Sequence, residues 1–120
     1  MRVEVVREEQ GIRTTLPNGS WLVEMLSKNT IGTKKTMLGF STFKPGTDTE
    51  KKIHTEEELA FVISGKGKIT LAEGAVDFGP KSAIYIPPGV PHGVKNDGPE
   101  NVTMVYTFSY PEYPPTQTAH

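Results

Sequence analysis

The 120-residue chain contains no cysteine. A disulfide framework, a thiolate nucleophile, an iron–sulfur cluster and a zinc finger are therefore excluded, and any metal must be held by histidine, carboxylate or another nitrogen or oxygen donor. Long apolar runs are also missing: no stretch approaches the roughly 18–20 residues that a membrane-spanning helix needs. The N-terminal MRVEVVREEQ is too charged for a secretory signal. These features predict a soluble, cytoplasmic protein with no membrane partner. There is no excess of either charge, with 13 Lys and Arg against 14 Asp and Glu for a formal net charge of −1. Binding to DNA or RNA relies on clustered basic residues to neutralise phosphate, so nucleic acid is not an expected partner. No internal repeat or low-complexity block divides the chain, and its length fits one domain over 1–120.

Helical patterning is the last notable absence. No apolar stripe with a 3.6-residue period lasts beyond about two turns, whereas short alternating or β-branched runs recur between Gly, Pro and Asn. The pattern predicts an all-β chain with strands at Val3–Val6, Ile12–Leu16, Ser20–Met25, Thr36–Phe43, Leu59–Ile63, Lys68–Leu71, Ala75–Phe78, Ala83–Ile86, His92–Lys95 and Val102–Phe108. The separators are turn formers: Pro17-Asn18-Gly19, Pro45-Gly46, Ser64-Gly65-Lys66-Gly67, Glu73-Gly74, Pro87-Pro88-Gly89 and Asn96-Asp97-Gly98-Pro99. Gly65 and Gly67 around Lys66 read as a hairpin turn and not as a phosphate-binding loop. Such regular punctuation favours a sandwich or barrel. The tail, 110–120, carries three prolines within five positions, which removes ladder donors and predicts an extended path lying over the barrel or hanging free.

Chemistry-bearing residues are few and stand in distinctive frames. The charged segment Thr49–Glu58 would read as a solvated loop if His54 were not in it. His54 lies in Gly46-x5-Lys52-x-His54-x3-Glu58-x6-Gly65, and His92 in Pro87-x-Gly89-x2-His92-x3-Asn96. Together these frames resemble the two conserved motifs of the cupin superfamily, Gly-x5-His-x-His-x3-4-Glu-x6-Gly and Gly-x5-Pro-x-Gly-x2-His-x3-Asn. The resemblance spans 46–96 and implies a double-stranded β-helix, or jelly-roll, barrel. Two positions depart from the pattern: Lys52 replaces the first histidine, and Lys81 stands where a glycine opens the second motif. Carried over residue by residue, the resemblance implies His54, Glu58 and His92 as ligands of a divalent transition metal (Fe, Mn, Ni, Co, Cu or Zn).

The residues support a site in their own right. Lys52 and His54 are two apart, so on a strand they share a face. If the chain kinks after His54, Glu58 can return to the same interior as the first residue of ELAFVIS. Glu56 and Glu57 remain alternatives, because a single bulge changes which carboxylate faces inward. Lys52 can equally point inward or lie with Lys51 as surface charge, and His120 reads as a mobile terminus. Tyr85, Tyr106, Phe40, Phe43, Phe61 and Phe108 read as core or pocket wall.

Three functions follow as expectations. The first is a metal-dependent enzyme acting on a small oxygenated substrate, with Lys52 and Glu58 in catalytic roles and Lys52 neutralising an anion or serving as a base. The second is a metal-free acid–base enzyme using the same residues, and the third is a non-catalytic barrel that binds a small ligand. A homodimer is expected, formed through the edges offered by the Val3–Val6 strand and SWLVEM.

Overall fold

The computed structural model describes residues 2–120. Its strands are β1 (Ile12–Thr15), β2 (Trp21–Leu26), β3 (Met37–Phe43), β4 (Lys52–His54), β5 (Glu58–Ser64), β6 (Gly67–Leu71), β7 (Ala75–Phe78), β8 (Ala83–Ile86), β9 (His92–Lys95), β10 (Val102–Phe108) and β11 (Thr116–Thr118). Period-two alternation explains how they stack. Along β10, Val102, Met104, Tyr106 and Phe108 are buried while Thr103, Val105 and Thr107 are half-exposed. One face therefore meets an interior and the other does not.

Every strand pairing is antiparallel. One sheet runs β1-β2-β3-β10-β5-β8 and the other β11-β4-β9-β6-β7. Face to face they enclose a barrel, the double-stranded β-helix that the motif resemblance implies. Met37, Val62, Phe78, Val94, Met104 and Phe108 belong to its buried core. Burial of each such side chain contributes about 1.5–3 kcal/mol.

Turn chemistry holds the frame at two informative places. Gly65 has φ +84°, and a Cβ there would lie 2.4 Å from the Asn101 carbonyl oxygen, so both backbone conformation and space require glycine. Lys81 also lies in the left-handed region, at φ 66°. The residue has departed from the motif's glycine, but the backbone has kept a turn of the kind glycine favours.

Two expectations about strands are corrected. Val3–Val6 is not a strand: the chain runs unpaired to a short 3-10 turn at Glu8–Gln10, and Val3 and Val5 are 94% and 85% exposed. β-Branched residues suit a strand, but a strand needs a hydrogen-bonding neighbour; among the described residues none pairs with 3–6, and their backbone groups face water instead. β2 offers no edge, because the Pro17–Gly19 turn folds β1 onto one side while β3 pairs on the other. The tail does lie over the barrel in extended form, and it goes further than expected, since Thr116–Thr118 joins β4 as an added strand.

Candidate metal centre

His54, Glu58 and His92 reach one point from two sheets. His54 ends β4, the chain bends through residues 55–57, and Glu58 begins β5 in the opposite sheet. Glu58 shares its strand face with the buried Ala60 and Val62, which settles its parity: it points inward. Glu57 instead accepts a hydrogen bond from the exposed Tyr85 hydroxyl at 3.0 Å, outside the barrel. His92 opens β9, where its Cα lies opposite Lys52. His54 and His92 are only 4% and 7% exposed, and their rings stand 4.9 Å apart.

The second nitrogen of each imidazole is committed. His92 Nδ1 donates to the Val90 carbonyl at 2.9 Å, so in the neutral ring Nε2 carries the lone pair. His54 Nδ1 lies 2.8 Å from the Thr116 hydroxyl oxygen, and that hydroxyl also sits 2.8 Å from the Pro114 carbonyl. A carbonyl can only accept, so the single hydroxyl proton goes to Pro114 and Thr116 Oγ1 accepts from His54 Nδ1–H. Both Nε2 atoms therefore present lone pairs to the interior.

Glu58 Oε1 faces them at 3.4 Å from His54 Nε2 and 3.3 Å from His92 Nε2. These are ion-pair distances without hydrogen-bond alignment, and Oε1 is buried with no hydrogen-bond partner. Three electron-pair donors thus converge on a spot that calls for positive charge. A proton supplies it in part. Burial works to lower the His92 pKa, but the Glu58 carboxylate and the Val90 carbonyl outweigh it and raise the pKa above the ordinary imidazole value. Burial would likewise raise that of Glu58, yet the two imidazoles hold it below the ordinary carboxylate value.

A divalent cation fits the same spot. Donors bound to one ion at roughly 2.0–2.2 Å stand about 3.0–3.5 Å apart, and the three candidate ligand atoms lie within 4.8 Å of one another. Two imidazoles with one carboxylate suit Fe, Mn, Co, Ni, Cu or Zn and leave coordination positions open. This is a group of His and carboxylate donors with metal-binding spacing among the described residues.

The cluster opens into a cavity of about 250 Å³, walled mainly by apolar side chains including Leu22, Phe43, Ile69, Ile84 and Met104. Lys52 borders it from the rim. Its ammonium donates to Thr118 Oγ1 at 2.8 Å and lies 3.6 Å from Glu50, with 41% of the side chain exposed. It shares its strand face with His54, yet its charge is anchored at the edge of the cavity. Tyr106 crosses the wall with its hydroxyl buried and unpartnered, and burial, with the neighbouring Tyr113, Glu24 and Glu58, pushes its pKa up. Of the other aromatics, Phe108 packs edge-on against His54 at 5.0 Å, while Phe61 and Tyr85 lie exposed on the outer face.

Sequence reasoning missed Tyr113, Thr116 and Thr118. Tyr113 lines the cavity and meets the His54 ring edge-on at 5.5 Å. A signal was present in the Thr-x-Thr alternation that follows the prolines, because it places both hydroxyls on one strand face.

Comparison with known proteins agrees with the fold. A family model described as a cupin domain matches residues 39–108. An uncharacterised protein of Methanocaldococcus jannaschii is 33% identical over 98 residues, covering 80% of this chain and 77% of that protein. Auxin-binding protein 1 of Arabidopsis thaliana is 34% identical over 89 residues, covering 67% of this chain and 45% of that protein. The polyketide cyclase RemF from Streptomyces resistomycificus superposes with a TM-score of 0.83 at 18% identity, over 99% of this chain and 87% of that one.

Proposed function

The chain belongs to the cupin family, and from that premise we propose that it is a metal-dependent enzyme of small oxygenated substrates, with His54, Glu58 and His92 holding a divalent transition metal. The observation that carries the reading is the buried, unpartnered Glu58 Oε1 between two Nε2 atoms at the cavity wall. A bound metal would supply Lewis acidity toward a carbonyl, enol or carboxylate oxygen and, for redox-active ions, dioxygen chemistry. The chain's own residues do the rest. The apolar walls exclude water and hold the body of the substrate, and Lys52 at the rim pairs with an anionic group. Glu58, besides binding the ion, sits where a carboxylate can take a proton from a substrate in the cavity.

Two other readings have specific support. The proton-binding pair formed by Glu58 and His92, with pKa values pushed apart, is suited to acid–base chemistry without metal. The similarity to a protein named for binding auxin favours a barrel that binds a small ligand. One experiment separates all three: metal-loaded and chelator-treated protein are each incubated with a library of small carboxylates, enols and ketones, and consumption and binding are followed by NMR. Consumption by the loaded protein alone supports the proposal. Equal consumption by both supports acid–base chemistry, and binding without consumption supports the binder.

The homodimer is proposed on a different surface from the expected edges. Leu59, Phe61 and Ile63 project from the outer face of β5 at 50%, 44% and 52% exposure, and Tyr85 lies opposite Leu59 on β8. Clustered exposed apolar side chains of this kind mark an interaction surface. Light scattering of the wild type and of Phe61→Glu tests this, with a dimer expected for the first and a monomer for the second.

A further inference from the structure

We propose that Thr116 is a positioning residue for the metal centre, and that the C-terminal strand thereby completes a site whose ligands all come from elsewhere. The proposal rests on reading His54, Glu58 and His92 as metal ligands and adds what sets one of them in the required state. An imidazole binds metal through a nitrogen that bears a lone pair, and the partner of the other nitrogen decides which one that is. For His92 the partner is the Val90 carbonyl, two residues away on the same segment. For His54 it is Thr116, 62 positions along the chain.

The acceptor role of Thr116 is imposed by its surroundings. Its hydroxyl proton is drawn to the Pro114 carbonyl at 2.8 Å, which leaves only oxygen lone pairs to face His54 Nδ1 at 2.8 Å. The segment is held in place independently of that contact. Thr55 N–H donates to the Pro115 carbonyl at 3.2 Å, Ala119 N–H to the Lys51 carbonyl at 2.9 Å, and Thr116, Gln117 and Thr118 pair with His54, Ile53 and Lys52. Tyr113 closes over the same ring edge-on. Residues 110–118 lie beyond the 39–108 stretch matched by the family model, so this support is a property of the chain outside that region.

The test compares wild type, Thr116→Val, Thr116→Ser and Gln117→Val. Gln117 faces away from His54 on the same strand, so its valine variant controls for a general change in β11. Two quantities are read: zinc affinity by chelator competition, and the nitrogen carrying the His54 ring proton by nitrogen-15 NMR of metal-free protein. Thr116→Val is expected to weaken zinc binding by about 10- to 100-fold, the usual cost of losing an outer partner. It should also remove the exchange-protected proton from Nδ1. Thr116→Ser should restore both, and Gln117→Val should change neither. The proposal is overturned if Thr116→Val keeps wild-type affinity and its Nδ1 proton. It is equally overturned if the wild-type ring is protonated only at Nε2, a result that needs no variant to fold. Absence of zinc binding in the wild type would sink the metal reading, while the ring-proton comparison would still decide the role of Thr116.

Discussion

Replacing His92 by Ala removes one of the three donors that converge in the barrel. Structural zinc sites with four ligands are worth about 10–16 kcal/mol, or roughly 3–4 kcal/mol per ligand, which corresponds to about a 100- to 1,000-fold loss of affinity. The loss can be read as stability. Metal at 100 times the wild-type Kd stabilises the folded protein by about 2.7 kcal/mol. In His92→Ala the same concentration lies at or below Kd and contributes no more than about 0.4 kcal/mol. The entropy of unfolding of a 120-residue chain is about 0.25 kcal/mol per kelvin, so the wild type should gain about 10 °C in Tm on metal addition and the variant less than about 2 °C. Differential scanning calorimetry with and without zinc, after chelator treatment, measures both. The variant must first be shown to fold, since it also leaves the Val90 carbonyl without its donor. Equal metal-induced shifts in the two proteins would mean that the ion is bound somewhere other than between Glu58 and the two imidazoles.

Other consequences follow from the same geometry. The raised His92 pKa contributes stability that is present below the unfolded imidazole value and lost as pH rises through the folded one; the lowered Glu58 pKa contributes stability present above the unfolded carboxylate value and lost as pH falls through the folded one. The metal-free protein should therefore gain its largest share from this pair between those two limits, and Glu58→Gln should flatten the pH–stability curve measured by denaturant titration. Metal affinity should fall as acid protonates His92, beginning at a higher pH than an ordinary imidazole would give, which titration at several pH values will show. Lys52→His places a third imidazole, and a fourth donor, on the strand face of His54 and should raise zinc affinity by at least about 10-fold while weakening binding of anionic ligands; unchanged values for both would remove Lys52 from the site. Gly65→Ala should cost roughly 2–3 kcal/mol in denaturant unfolding, combining left-handed strain with the clash against Asn101.

The sequence makes the fold legible where alternation is strong and both ends are punctuated. β7, β8, β9 and β10 begin and end where pattern and turn residues place them, because one buried face and one open face write a period of two into the chain. Val3–Val6 has the same composition but no neighbour, and a strand is a property of a pair. β4 and β11 are three residues each, too short for periodicity to register, and are held by each other's backbone. The motif frames give the right cluster, and strand parity chooses Glu58 over Glu56 and Glu57 only once the bend at 55–57 is known. Thr116 and Tyr113 could not be assigned to the site from spacing, because the register of β11 against β4 is a long-range contact. The sequence leaves Lys52 open between interior and surface for a physical reason as well: its strand position directs it inward, while Thr118 and Glu50 hold its charge at the rim.

On the proposed reading, His54, Glu58 and His92 hold one divalent transition metal ion. A crystal structure of metal-reconstituted protein, with anomalous difference maps collected at the absorption edges of the first-row metals, tests it most directly. A single peak is expected, bounded by His54 Nε2, His92 Nε2 and Glu58 Oε1, at roughly 2.0–2.2 Å from each if the ion is zinc. Reconstituted crystals with no anomalous peak at that position, or with the Glu58 carboxylate hydrogen-bonded to both imidazoles and no ion between them, would contradict it.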